Sequence, residues 1–114
     1  MALNEQYTKG MQALIEGVLA SSGDTDPLLR RAIAAKASEH GGSHLDNNTD
    51  IPPELTSYIK KVALHAYKTT DEDIETLLQA GYSEDALFEI TLSAALGAGL
   101  ARLECGLSAL QGDK

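Results

Sequence analysis

Between Ala86 and Leu103 the chain reads ALFEITLSAALGAGLARL, apolar on almost every side of a helix apart from Glu89, Thr91 and Ser93. Nothing else in the sequence constrains the fold as strongly. A helix that is greasy all round must be enclosed by other elements, and only 114 residues are present to enclose it. Ser93, Ala94, Ala95, Gly97, Ala98, Gly99 and Ala101 keep the segment thin, so neighbouring backbones can approach closely. Mid-helix glycine costs about 1 kcal/mol relative to alanine, and tight packing has to offset that. The helix is expected from about 84 to 111, capped by Ser83, at the centre of the fold. One face would stay exposed in a monomer, so a symmetric homo-oligomer formed through the 84–111 helix is expected.

The rest of the chain also reads as helix. Residues 4–20 place Tyr7, Met11, Leu14, Ile15 and Val18 at three- and four-residue steps, the period of a helix burying one face. Asp26 followed by Pro27 is a helix start, because a carboxylate accepts from free backbone N–H groups and proline belongs at the first helical position. That helix should reach about Glu39. From His40 to Pro53 the stretch HGGSHLDNNTDIPP sustains neither periodicity and reads as a long loop. Pro52 and Pro53 open a third helix with Leu55, Tyr58, Ile59, Val62 and Ala66 on one side. Thr70 with Asp73 approximates a capping box, and Gly81 stands where a left-handed C-cap is wanted, so about ten residues of helix lie between. No alternating β-branched run and no hairpin signal occurs. The expected fold is an all-α bundle of about five helices with a long apolar C-terminal helix. It forms one domain over 1–114, with N-terminal helices at 4–39, a loop at 40–53 and a core at 54–111.

Charge and composition exclude several functions. Nine basic against seventeen acidic residues give a formal charge of −8, which a phosphate backbone would repel, so no nucleic acid partner is expected. The N-terminus MALNEQYTKGMQAL lacks the basic and continuous apolar regions of a secretory signal, which points to the cytoplasm. The apolar run from Thr91 to Leu103 is too short to span a bilayer, so no membrane partner is expected. A lone Cys105 allows no internal disulfide, in keeping with a reducing compartment. His40 and His44 have H-x-x-x-H spacing, but Gly41 and Gly42 break any helix between them and no metal site is expected. No phosphate-binding glycine loop is present, and no cofactor is expected.

The stretch AYKTTDEDIETLLQAGYSEDALFEITLSAALGAGLARLECGL, residues 66–107, resembles the carboxymuconolactone decarboxylase and alkylhydroperoxidase (AhpD-like) family. The resemblance covers about residues 50–110 and implies a small all-helical oligomer. In the family's peroxidase members a helix carries a glutamate, then C-x-x-C twelve residues on and a histidine four residues further. A turn of the form AG(V/F/Y)S(D/E)E and a long apolar helix follow. Anchoring on Ala80, Gly81, Tyr82 and Ser83 sets Ala66 and Thr69 at the cysteine positions, Asp73 at the histidine position and Glu54 at the proton-relay glutamate. One of the four matches. A second register takes Thr70–Leu107 as the later half of the family pattern, and Glu54 then loses its assignment.

Peroxide reduction needs a thiolate to attack oxygen and a second thiol to resolve the sulfenic acid, and Ala66 and Thr69 supply neither. Cys105, within LECGL, reads first as a buried structural cysteine and second as the nucleophile of a weak peroxidase. Decarboxylase chemistry would need a general acid or base, for which His65 is the candidate, with Glu54 and Tyr67 as relays. The competing reading of His65 is a satisfied histidine at the edge of the core. Lys60, Lys61 and Lys68 read as a solvated face balancing the acidic turn Asp71–Glu75, or as a site for an anion. Arg102 must snorkel or pair with Glu89 or Glu104 of its own or another subunit, and an interface ion pair is the expected reading. The function expected from the resemblance is a small-molecule-binding protein or a lyase acting at a subunit interface, without dithiol chemistry. The alternatives are a non-catalytic oligomeric interaction protein and weak alkylhydroperoxidase activity through Cys105.

Overall fold

Asp26 and Pro27 begin a helix as their chemistry favours: the carboxylate accepts from the Leu28 N–H at 2.9 Å and proline takes the first helical position. The structure, a computed structural model, describes residues 2–20, 22–40 and 51–110. The elements in chain order are α1 (Ala2–Leu19), α2 (Pro27–His40), α3 (Pro53–His65), a 3₁₀ turn (Ala66–Lys68), α4 (Asp71–Gln79) and α5 (Glu84–Leu110). Among the described residues every regular element is helical, so the chain is an all-α bundle with a long C-terminal helix. His44 and the Gly41–Gly42 pair lie outside the described residues.

The terminal signals between α3 and α5 take the form their residues prescribe. The Thr70 hydroxyl accepts from the Asp73 N–H at 3.3 Å, and the Asp73 carboxylate accepts from the Thr70 N–H at 2.9 Å. This is a capping box in which aspartate replaces the longer glutamate. Lys61 adds its ammonium at 3.0 Å from both Asp73 oxygens. The Thr70 N–H and then Lys61 hold the Asp73 carboxyl below the usual carboxylate range. Gly81 has φ +108°, a conformation that L side chains resist, and the Ser83 hydroxyl accepts from the Ala86 N–H at 3.0 Å to start α5. Thr70→Ala is expected to lower stability by about 1 kcal/mol in urea titrations, the cost of losing an N-cap.

Two expectations need correction. The third helix does not carry Ala66 on its buried side. It stops at His65, whose backbone turns out of the helical region at φ −144° and ψ 56°, and Ala66 is exposed. The first helix buries less than its periodicity suggests, because Leu14 is 46% exposed and Ile15 and Val18 are half-buried. The side chains of Tyr7 and Met11 lie outside the described residues. A regular apolar period fixes which side of a helix faces inward, but not how much neighbouring surface is there to cover it.

α5 packs against α1, α2, α3 and α4, and so occupies the centre. Its inner face of Leu87, Ile90, Ala94 and Ala98 meets Ile33 and Ala37 of α2 and Leu55, Ile59 and Val62 of α3. α2 answers the thin part of α5 with its own small residues, Ala34, Ala37 and Ser38. A Cβ on Gly97 would overlap the backbone carbonyl of Ala34. The two backbones approach closely there, and glycine is what permits it.

The opposite face of α5 is uncovered. Phe88 is 67% exposed, Leu92 and Leu103 are each 40% exposed, and Leu110 is 85% exposed. With the exposed Ala95, Gly99 and Gly106 they recur at three- and four-residue steps and form one uncharged stripe about 33 Å long. At 27 residues α5 is itself long and apolar enough to cross a membrane. The length argument drawn from 91–103 therefore does not extend to the whole helix.

Candidate functional site

The candidate residues do not converge. Glu54 lies in the first turn of α3 and His65 in its last, eleven positions apart, which is about 16 Å along the axis. Glu54 is exposed and accepts a 2.6 Å hydrogen bond from the Tyr82 hydroxyl. That bond holds the Glu54 carboxyl below its usual range. Tyr82, desolvated and facing the carboxylate, is pushed up to about 12. The Glu54–Tyr82 pair thus ties the start of α3 to the turn before α5. His65 is exposed, with its ring edge-on to Tyr67 at 5.9 Å between centroids and 87° between planes. Tyr67 is 80% exposed, with the Lys68 ammonium 5.9 Å from its ring centre. His65 is therefore not a core histidine, and it lines neither of the two hollows described below.

Cys105 is exposed on the last third of α5, which corrects the expectation of a buried thiol. The residues around it, from Arg102 to Gly106, are all exposed. Ala66, Thr69 and Asp73 fall on the 3₁₀ turn, at its exit and in the first turn of α4. They share no helical face, and the Ala66 carbonyl accepts from both the N–H and the hydroxyl of Thr69. Arg102 pairs with neither Glu89 nor Glu104 of its own chain. Its guanidinium donates to the Ala63 carbonyl near the end of α3, a favourable place for a cation.

The strongest polar node was not legible as a motif. Arg30 on α2 is 2% exposed, donates to the Val18 carbonyl at 2.5 Å and the Thr25 carbonyl at 3.4 Å, and brings its Nε to 4.0 Å from Glu89. Glu89 on α5 accepts from the Asp24 N–H and the Thr25 N–H, both at 2.8 Å, and from the Thr25 hydroxyl. The Thr25 hydroxyl, first among these contacts, holds the Glu89 carboxyl below its usual range. The sequence hints at it only through charged residues on otherwise apolar helices, Arg30 on the alanine-rich α2 and Glu89 on α5. The partners described for this node are backbone and side-chain groups of the fold, and they fasten the 22–26 segment to α2 and α5.

A cleft among the described residues combines apolar walls with polar atoms. It lies between α1, α2 and α5, holds about 220 Å³, and is lined by Ile15, Leu19, Ala34, Ser38, Leu96, Gly97, Leu100, Ala101 and Glu104. The Ser38 hydroxyl donates to the Ala35 carbonyl at 2.7 Å, which leaves its oxygen as an acceptor. The Glu104 carboxylate is an acceptor as well. The site therefore offers a greasy slot whose two polar side chains both accept. Sequence reasoning missed it because its walls come from three helices far apart in the chain. A broader hollow on α4, lined by Asp71, Ile74, Glu75, Leu78 and Gln79, is open to solvent and lies on a single helix. Among the described residues no group of three or more His, Cys, Asp or Glu side chains is placed to hold a metal ion. Comparisons with protein-family models, with curated proteins and with solved structures return no match for this chain.

Proposed function

We propose that this chain is a homo-oligomeric, AhpD-like helical protein that binds a small apolar molecule bearing an N–H or ammonium group, without dithiol peroxidase chemistry. The observation that carries the proposal is the α1–α2–α5 cleft, where apolar walls meet two acceptors, the Ser38 hydroxyl oxygen and the Glu104 carboxylate. A ligand that supplies a donor would satisfy both, whereas an anion would face the Glu104 charge. Leu96 belongs to the cleft and lies beside the exposed stripe of α5, so a second subunit on that stripe would border the ligand. Self-association is supported by the stripe itself, an apolar face left uncovered along α5.

Family membership is supported by the Thr70 capping box, the left-handed Gly81 turn and the small-residue α5 that follow in the order of the family pattern. The break between α3 and α4 favours the second register, in which Thr70–Leu107 represents the later half and Glu54 has no relay role. A lyase through His65 has weaker support than binding, because His65 and Glu54 stand at opposite ends of α3. Peroxidase turnover through Cys105 would require a thiol from another molecule to resolve the sulfenic acid, since the chain holds one cysteine.

The test uses fluorescence titration with N-phenylnaphthylamine, an apolar probe with one N–H donor, and with anilinonaphthalene sulfonate, its anionic relative. The neutral probe is expected to saturate at one site per chain and to bind more tightly than the anion. Leu100→Trp, which fills the cleft, should weaken it at least about tenfold, equal to 1.4 kcal/mol, while His65→Ala leaves it unchanged. No saturable binding, or binding indifferent to Leu100→Trp in a variant with native circular dichroism, would reject the proposal.

A further inference from the structure

Ser38 is 2% exposed, and its hydroxyl proton is committed to the Ala35 carbonyl at 2.7 Å. Its oxygen lines the α1–α2–α5 cleft and is left to accept. A ligand that displaces water from a buried acceptor must supply a donor in its place, because an unsatisfied acceptor forfeits binding. A purely apolar occupant would strip that water and return nothing. The occupant therefore carries a donor at the level of Ser38.

The order of polar and apolar groups along the cleft follows from the register of its two inner helices. Glu89 of α5 lies beside Arg30 of α2, and Gly97 beside Ala34, so α2 and α5 run in the same direction. Ser38, one turn past Ala34, stands level with Ala101, one turn past Gly97. Glu104 comes three residues later, about 4.5 Å further along the axis, and is exposed. On the other side of Ser38, Leu96 and Gly97 of α5 and Leu19 of α1 make an apolar end. The cleft thus presents a carboxylate at its rim, a neutral acceptor within, and an apolar floor beyond. From Leu96 to Glu104 it spans about 12 Å. Its volume of about 220 Å³ falls below the roughly 300–1,000 Å³ of sites for drug-sized ligands, so the occupant is small. Glu104 and the net charge of −8 repel an anion and draw a cation to the rim.

We infer that the cleft takes a small amino alcohol with an aryl or short alkyl group. Its ammonium lies on the Glu104 carboxylate, its hydroxyl donates to the Ser38 oxygen, and its apolar group rests against Leu96 and Leu19. This assignment rests on the cleft being a ligand site, as proposed above, and adds the class and orientation of the ligand. The ion pair at the exposed rim is worth no more than about fivefold in affinity. The buried hydrogen bond to Ser38 is of similar size, about fivefold. Selectivity accordingly comes from both groups together.

Competition against N-phenylnaphthylamine on the full-length protein tests the order of groups. Phenylethanolamine carries ammonium, hydroxyl and aryl ring in the sequence of the cleft. Phenethylamine lacks the hydroxyl, and methylphenylcarbinol lacks the ammonium. Phenylethanolamine is expected to displace the probe at about one-fifth of the concentration that either relative needs. Ser38→Ala should abolish its advantage over phenethylamine and keep that over the carbinol, whereas Glu104→Gln should do the converse. Ser38→Ala also removes the bond to the Ala35 carbonyl, so its circular dichroism is compared with that of the native chain. Should that variant not fold, the three ligands on the native chain and on Glu104→Gln decide the outcome. Equal displacement by all three ligands, or an advantage that survives the substitution meant to abolish it, would overturn the amino alcohol and leave the cleft as a site for a simpler donor. Absence of saturable probe binding would remove the cleft as a ligand site and this assignment with it.

Discussion

Gly97→Ala is expected to destabilise the fold by about 2 kcal/mol, although alanine is the better helix former by about 1 kcal/mol. The sign is set by geometry. A Cβ at position 97 would overlap the Ala34 carbonyl and crowd its Cα. These are backbone atoms that no rotamer change can move. α2 and α5 would have to separate along their closest line of contact, opening space around Ile33, Ala37 and Ala94, which are all but fully buried. Gly97→Val, with two more methyl groups, should cost more and lower the cooperativity of unfolding. The matching control is Gly10→Ala on α1, where a Cβ meets nothing within 4 Å. There only helix propensity acts, and the substitution should stabilise by a few tenths to about 1 kcal/mol. Urea unfolding of the three variants measures the contrast, and equal effects at positions 10 and 97 would mean that α2 and α5 do not pack as described.

The same glycine shows how far the fold could be read in advance. A run of small residues announces that something packs closely on α5, and the signals at Asp26–Pro27, Thr70, Gly81 and Ser83 place helix ends that the structure reproduces. These are local effects, written in one or two adjacent residues. What the sequence does not announce is which small-residue face meets which. Ala34 belongs to α2 and Gly97 to α5, sixty-three positions later, and nothing local pairs them. α1 shows the converse, because its apolar period is regular yet its residues are only half covered.

The candidate site was less legible for a related reason. His65 and Glu54 were joined through the family resemblance, yet eleven residues on one helix already place them at opposite ends of it. Cys105 was expected to be buried because its helix is apolar, but burial depends on what lies alongside. From Arg102 to Gly106 every residue of α5 is exposed, so an apolar helix does not by itself bury its thiol. The cleft and the Arg30–Glu89 node each draw on segments brought together only by folding. Charged residues inside apolar helices, Arg30 and Glu89 among them, were the one available signal, because an ion on such a helix needs a partner wherever it turns inward.

Glu89→Ala should be the most damaging of the single substitutions at polar positions, with a loss of about 3–5 kcal/mol. It removes the acceptor for the Asp24 and Thr25 N–H groups and the Thr25 hydroxyl. It also removes the carboxylate beside the Arg30 guanidinium, which is 2% exposed and donates to the Val18 and Thr25 carbonyls. Replacing both members, Arg30→Met with Glu89→Leu, should be milder than Glu89→Ala alone, because no buried charge is then left uncompensated. It should still fall short of the native chain, since the N–H groups of Asp24 and Thr25 lose their acceptor in either case. The pH dependence follows from the direction of the Glu89 shift. Its carboxyl is held below the ordinary value chiefly by the Thr25 hydroxyl, so the unfolded chain takes up the proton first as pH falls. The stabilisation is complete above the ordinary carboxylate pKa of about 4 and is lost as acidification passes through the lower folded value. Glu89→Gln, which has no proton to gain, should flatten that acid limb in unfolding measured from about pH 6 to pH 3. An acid limb unchanged in Glu89→Gln would show that the carboxylate is not held in the node, and the large cost assigned to Glu89→Ala would lose its basis.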